Sequence, residues 1–233
     1  ATTVVVGGDA DHTSIQDAVN AANAGDTITI RAGTYDETVT IDKPRITLNG
    51  PNAGTPGDSS AREAEATITG GVVVKASEVT IDGLRIRNPG EQGVANPEKS
   101  AGDVGVDIEP SNKEVSVLNN VITDIGTRDD DSNPIGVLAS DGTSGVTVEG
   151  NEISNLEGTD EDERQTTGVL IIETGTAIDD VSVTDNTISG LLDTRSTAAI
   201  RFNGDVSGEI GNNEISNLNT EGKTASGAPG GFT

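Results

Sequence analysis

The sequence predicts an all-β fold, a right-handed parallel β-helix (solenoid) of about six rungs with a short N-terminal capping helix. Three observations predict it. A phrase of strand, bend and strand recurs: Ile46-Thr47-Leu48-Asn49-Gly50, Val79-Thr80-Ile81-Asp82-Gly83-Leu84-Arg85-Ile86, Val115-Ser116-Val117-Leu118-Asn119-Asn120-Val121-Ile122, Val146-Thr147-Val148-Glu149-Gly150-Asn151-Glu152-Ile153, Val181-Ser182-Val183-Thr184-Asp185-Asn186-Thr187-Ile188 and Gly208-Glu209-Ile210-Gly211-Asn212-Asn213-Glu214-Ile215. At its bend the column Gly50, Gly83, Asn119, Gly150, Asp185, Asn212 holds only Gly, Asn and Asp, the types that tolerate a left-handed backbone. Members of the column lie 33, 36, 31, 35 and 27 residues apart, and a fixed phrase with elastic spacing describes stacked rungs whose insertions bulge at loops.

The elements follow in order. Residues 1–25 hold a strand, Thr3-Val4-Val5-Val6, and a short amphipathic helix. Ser14 precedes Ile15, Ala18, Val19 and Ala22 at helical spacing, Asp17 completes a Ser-x-x-Asp capping box, and Gly25 stops the helix. Such a helix ahead of the first rung covers the open end of the coil. Residues 26–218 are the β-helix, with a polar loop over 51–65, and residues 219–233 read as a flexible tail or linker. Later rungs enter through Val104 to Glu109, Gly136 to Ser140, Gly168 to Ile172 and Ala198 to Asn203. With period two, Val106, Ile108, Val137, Ala139, Val169, Ile171, Ile200 and Phe202 point inward. Insertions at 88–103, 126–134, 157–167 and 192–197 fall at one place in each rung and are expected to wall a groove.

The opening carries a resemblance. Ser14-Ile15-Gln16-Asp17-Ala18-Val19, Ala32-Gly33-Thr34-Tyr35-Asp36-Glu37-Thr38-Val39 and the Ile46 to Gly50 step look like the start of the pectin-lyase-like β-helix superfamily, and of its pectin methylesterase branch in particular, over residues 3–50. The resemblance implies a sugar-active β-helix with asparagine ladders. It does not extend to catalytic motifs. Beyond residue 50 the later Gln-Asp, Asp-Phe-Ile-Phe-Gly and Gly-Arg-Pro motifs of methylesterases are absent, and the chain lacks the Gly-His-Gly and Arg-x-Lys of polygalacturonases and the Arg-x-Pro-x-x-Arg of pectate lyases. Asp179-Asp180 echoes only the paired aspartate of the polygalacturonases.

Composition narrows the classes further. The net charge is −25 and is spread along the chain, which makes nucleic acid a poor partner. Abundant Asp, few Lys, and no Cys, Met or Trp resemble haloarchaeal proteins, in which concentrated salt screens self-repulsion. Absent cysteine removes disulfide and thiol chemistry. Tyr35, Phe202 and Phe232 are the only aromatics, a poor set for stacking on sugar rings. No apolar run is long enough to span a membrane. The chain opens without a starting Met, and it reads as a processed or excised segment that works outside the cell or on its surface.

Candidate chemistry concentrates on few residues. Asp107, Glu109, Asp141 and Arg201 are outward positions on the entering sheet, and two carboxylates one rung apart would suit acid–base or glycosidase work. Leu138, Leu170 and Ile172 also point outward and form a candidate binding patch. Asp129, Asp130, Asp131, Asp160 and Asp162 sit on neighbouring acidic loops and are candidate Ca²⁺ or Mg²⁺ ligands, although no cofactor is required by any motif. Asn120, Asn151, Asn186 and Asn213 form a column suited to a rung-to-rung hydrogen-bond ladder. The leading expectation is a non-catalytic secreted or surface β-helix, serving as a structural, adhesive or filament-forming module that self-associates through its C-terminal rung or joins further domains. The alternatives are a polysaccharide-active enzyme or binding module, and an ion-buffering surface protein.

Overall fold

The computed structural model describes residues 2–89, 104–126, 134–158, 165–193 and 196–220. The chain opens on β1 (Thr3–Val6) and α1 (Ile15–Ala21), then coils. The first rung is β2 (Thr27–Ile30), β3 (Gly33–Tyr35) and β4 (Val39–Ile41), and the second is β5 (Thr47–Asn49), β6 (Ala66–Ile68) and β7 (Val72–Val74). The third is β8 (Thr80–Asp82), β9 (Arg85–Asn88) and β10 (Val104–Ile108), and the fourth β11 (Ser116–Leu118), β12 (Val121–Ile125) and β13 (Ile135–Ser140). The fifth is β14 (Thr147–Glu149), β15 (Glu152–Glu157) and β16 (Thr166–Ile172), the sixth β17 (Ile178–Thr184), β18 (Thr187–Asp193) and β19 (Thr197–Asn203). A further turn begins with β20 (Val206–Gly211) and β21 (Glu214–Thr220).

Like positions in successive rungs pair in parallel. They build sheet A (β1-β2-β5-β8-β11-β14-β17-β20), sheet B (β3-β6-β9-β12-β15-β18-β21) and sheet C (β4-β7-β10-β13-β16-β19). Stacking aligns like with like. In sheet A one file runs Ile28, Leu48, Ile81, Val117, Val148, Val183, each fully buried. In sheet C the file Val39, Val72, Val106, Val137, Val169, Ile200 is likewise inside, as the alternation predicts. Each fully buried Val or Ile contributes about 1.5–3 kcal/mol, so aliphatic files supply most of the packing of this coil, with Tyr35 a buried aromatic ring in the core and Phe202 partly buried against it.

Three left-handed files set the shape of a turn. Between sheets A and B, Gly83, Asn119, Gly150, Asp185 and Asn212 have φ of 70°, 52°, 66°, 55° and 53°. Gly50, expected in that file, is not left-handed, because there the chain leaves the coil for residues 51–65. It needs glycine for another reason: a Cβ would lie 2.2 Å from the Gly83 carbonyl oxygen. A second file bends sheet B at Asp124, Asn155, Gly190 and Asn217 (φ 53°, 54°, 64° and 52°). The third lies between sheets C and A at Arg45, Glu78, Glu114, Gly145 and Asp180 (φ 60°, 60°, 54°, 63° and 57°). Its residues donate their N–H groups to the next rung, as in Glu78 to Lys113 O (2.7 Å) and Glu114 to Ser144 O (2.8 Å), which offsets the strain of placing Arg and Glu there.

Inside the first corner runs the asparagine column. Asn151 Oδ1 accepts from the Asn120 backbone N–H (2.9 Å) and Nδ2 (3.2 Å), while Asn151 Nδ2 donates to Val117 O (2.8 Å) and Asn186 Oδ1 (3.0 Å). The same bonds link Asn186 to Asn213, and at the upper end Leu84 N–H donates to Asn120 Oδ1 (2.9 Å). The side chains of Asn120, Asn151 and Asn186 thereby pair with the backbone groups of the tight buried corner.

The polar loop over 51–65 is a strap. It descends the outside of the first corner from the second rung to the sixth: Gly57 N–H donates to Gly150 O (2.8 Å), and Thr187 Oγ1 donates to Asp58 (2.8 Å). Arg62, whose side chain is 7% exposed, locks it. Its guanidinium forms a two-pronged pair with Glu65 (2.8 and 3.0 Å) and donates to Thr55 O (2.9 Å) and Asn119 O (2.8 Å).

Candidate functional site

Two regions hold polar groups fixed by the fold: the capped first rung and the outer face of sheet C. At the first rung, Ser14 caps α1 by accepting from Asp17 N–H, and the carboxylate of Glu37 completes the cap by accepting from Ser14 Oγ (2.9 Å) and from the N–H groups of Ile15 (2.8 Å) and Gln16 (2.8 Å). The Gln16 side chain pairs with both backbone groups of Thr40, accepting from its N–H (2.7 Å) and donating to its carbonyl (3.1 Å), so it acts as one more residue of strand above β4. Lys43 donates to the last carbonyls of the helix, Val19 O (2.8 Å) and Asn20 O (2.6 Å). Ile15, Ala18, Val19 and Ala22 close the apolar cross-section beneath. The residues that carry the resemblance at the start of the chain, Ser14, Ile15, Gln16 and Glu37, are thus the fastenings of this lid.

A cleft beside the lid is lined by Asp9, Asp11, His12, Asp26 and Arg31 among others, and of these Asp9, Asp26 and Arg31 are engaged in side-chain bonds. Asp26 accepts from Thr2 N–H (2.6 Å) and Asn23 N–H (2.9 Å), bonds that hold its carboxyl below the ordinary carboxylate range. Arg31 donates to Gly7 O (3.3 Å) and pairs with Asp9.

On the outer face of sheet C one file reads Thr40, Val73, Asp107, Leu138, Leu170, Arg201 from the lid downward. The expectation of outward positions at 107, 138, 170 and 201 matches this register. Asp107 is only 2% exposed, set between Val73 and Leu138. Arg201 lies three rungs below it, about 14 Å along the coil at the usual strand spacing, with Leu138 and Leu170 between, and donates to Gln165 Oε1 (2.9 Å). Glu109 follows β10, half-buried, and its N–H donates to Val74 O (3.0 Å).

Asp141 occupies the turn after β13 and joins two rungs. Its carboxylate accepts from Thr174 Oγ1, Thr174 N–H and Gly175 N–H. The Thr174 hydroxyl first, then the backbone N–H groups, hold its carboxyl below the ordinary range. A carboxylate so engaged is a poor proton donor or base near neutrality. The four candidates Asp107, Glu109, Asp141 and Arg201 share a face without converging on one point.

The apolar residues on this face do converge. Leu138 forms a buried cluster with Val104 and Ile135, and the half-buried Leu170 and Ile172 pack against it, apart from the main core. Val104 and Ile135 escape a strict period-two reading because Gly105 and Gly136 follow them: a Cβ on either glycine would press on Ile122 or Ile153 inside the coil, so the preceding residue faces out. The metal candidates Asp129, Asp130, Asp131, Asp160 and Asp162 lie outside the described residues. Among the described residues no group of three or more His, Cys, Asp or Glu side chains could hold a metal ion, and no helix is long and apolar enough to cross a membrane.

No family model matches the sequence, and no curated protein matches it. Among solved structures the chain is similar to the Aspergillus niger pectin methylesterase in deglycosylated form, at 13% identity and a TM-score of 0.49, covering 97% of this chain and 91% of that one. The penultimately deglycosylated form of that enzyme gives the same identity and coverage with a TM-score of 0.48. A third similar structure is Escherichia coli ybhc, at 16% identity and a TM-score of 0.35, covering 94% of this chain and 69% of that one. Three parallel sheets stacked rung on rung, the asparagine file within a corner and the covered first rung make the chain a parallel β-helix.

Proposed function

We propose that the chain is a non-catalytic structural or adhesive module acting outside the cell or on its surface, in a high-salt medium. The observation that supports this most is the commitment of the ionisable groups on sheet C. Asp141 staples two turns together, Arg201 holds Gln165, and Asp107 and Arg201 stand at opposite ends of a run of leucines. The charge of −25 supports the high-salt medium, since screening would relieve self-repulsion in a rod so densely acidic.

The rival reading, a polysaccharide-active enzyme or binding module, draws on the same face, where Asp107 is fixed beside the apolar cluster of Val104, Ile135 and Leu138. Incubation with methylated and free uronate polymers in molar KCl, followed by release of methanol, reducing ends and unsaturated products, separates the two. The module reading expects no turnover. Turnover that disappears in Asp107→Asn or Asp141→Asn, with unchanged circular dichroism, would replace it by the enzyme reading.

A further inference from the structure

The two ends of the coil are unlike. At the first rung the apolar cross-section lies under α1, fastened by Glu37, Gln16 and Lys43. At the last, β19, β20 and β21 each have a partner strand on one side only among the described residues. The fully buried sheet A file ends at Ile210, which is 37% exposed, and Phe202, Val206, Ile215 and Leu218 are only partly buried. Asn213 ends its ladder in the same way: its side chain accepts from Asn186, with no Asn below it to accept from its own N–H.

Such an edge is normally blunted by lysine, proline or an inward-pointing charge. Residues 197–220 contain neither Lys nor Pro, and their charged side chains are Arg201, Asp205, Glu209 and Glu214, none of them among the core residues. The next stretch, 221–233, has one large apolar residue, Phe232, and no copy of the rung phrase.

We infer that a second copy of this chain covers the last rung, tail to tail, in a closed two-fold dimer. A two-fold axis perpendicular to the coil sets facing end strands antiparallel, a pairing that completes backbone hydrogen bonds at least as well as the parallel pairing within each coil. It passes through one sheet and exchanges the other two. β19, β20 and β21 have 7, 6 and 7 residues, so every choice of that sheet matches strands of nearly equal length. These strands together present 20 residues, the number found on one side of a standard interface of about 20–30 residues. Because α1 covers the other apolar end, the contact closes on itself and does not propagate into a filament. This inference is independent of the functional proposal, since it concerns the end of the coil and not the outer face of sheet C.

Sedimentation equilibrium of the full chain in molar KCl tests it. The expected result is a species of twice the 23.6 kDa chain mass, favoured by salt because two acidic copies must approach, and shifted at least tenfold toward monomer by Ile210→Lys with unchanged circular dichroism. The chain lacks cysteine, so single labels place the contact. Spin labels at Ser216→Cys should lie within about 30 Å of each other, and labels at Ala21→Cys beyond about 60 Å, given about 34 Å of stacked strands in each copy. A monomer at all concentrations, open-ended polymers, a dimer indifferent to Ile210→Lys, or close labels at Ala21→Cys would each overturn the inference.

Discussion

Replacing Arg62 by Met tests whether the strap is held by its buried cation or by its length alone. Methionine keeps most of the volume and removes all donors. Glu65, 16% exposed at its side chain, would lose both prongs of its pair and keep one hydrogen bond from Asn52 Nδ2 (3.1 Å), while the Thr55 and Asn119 carbonyls would lose a charged donor each. Breaking one partner of a buried, hydrogen-bonded pair costs about 3–5 kcal/mol, whereas replacing both partners by apolar residues is often near neutral. For a chain of 233 residues the single change corresponds to a fall in Tm of roughly 6–20 °C. Arg62→Met/Glu65→Leu should recover more than half of the loss. Urea unfolding in molar KCl gives the magnitudes, and amide exchange at Gly57, whose N–H reaches Gly150, reports locally on the strap. A loss below about 1 kcal/mol in the single variant, or a double variant worse than the single, would refute the reasoning.

Three further outcomes follow from the same structure. Asn151→Ala removes the acceptor for two Asn120 donors and the donor to Val117 O, and should cost about 2–4 kcal/mol in urea unfolding, because each orphaned buried group costs about 1–3 kcal/mol. The Asp141 carboxyl is held below its ordinary range, so its contribution is present above the unfolded-state value of about 3.9 and is lost as pH falls through the lower folded value. Asp141→Asn should therefore flatten the fall of stability between about pH 5 and pH 2 when melting is followed across that window. Raising KCl from dilute buffer to molar concentration should raise the unfolding midpoint of the wild-type chain, and a midpoint indifferent to salt would remove the charge argument for a halophilic setting.

What the sequence disclosed depended on whether a position announces its geometry by residue type. The first corner was legible because Gly, Asn and Asp are the types that accept a left-handed backbone. The second was legible in principle, since Asp124, Asn155, Gly190 and Asn217 each follow a member of the first by five residues, but the strand reading ran through them. The third was hidden: Arg45, Glu78 and Glu114 are left-handed through hydrogen bonds to the next rung, which no single-residue preference reveals. The strap was hidden for a similar reason, because residues 51–65 have no period and their partners lie as far along the chain as Thr187. On the outer face of sheet C, alternation gave the correct direction for Asp107, Leu138, Leu170 and Arg201. It could not give their separation, which follows from counting rungs, nor the outward turn of Val104 and Ile135, which follows from the glycines after them.

The three left-handed files also guard against slippage. Parallel stacks of similar repeats can misalign by one residue at little loss of backbone bonding. Here a one-residue slide would bring Val79, Val115, Val146 and Val181 into the third corner and Ile125, Leu156, Leu191 and Leu218 into the second. Branched side chains at positive φ are steric outliers, so each of these turns would be penalised for being out of step, and those that carry a member of both files would be penalised twice over. The chain therefore tolerates long excursions between turns while forbidding the smallest error within one.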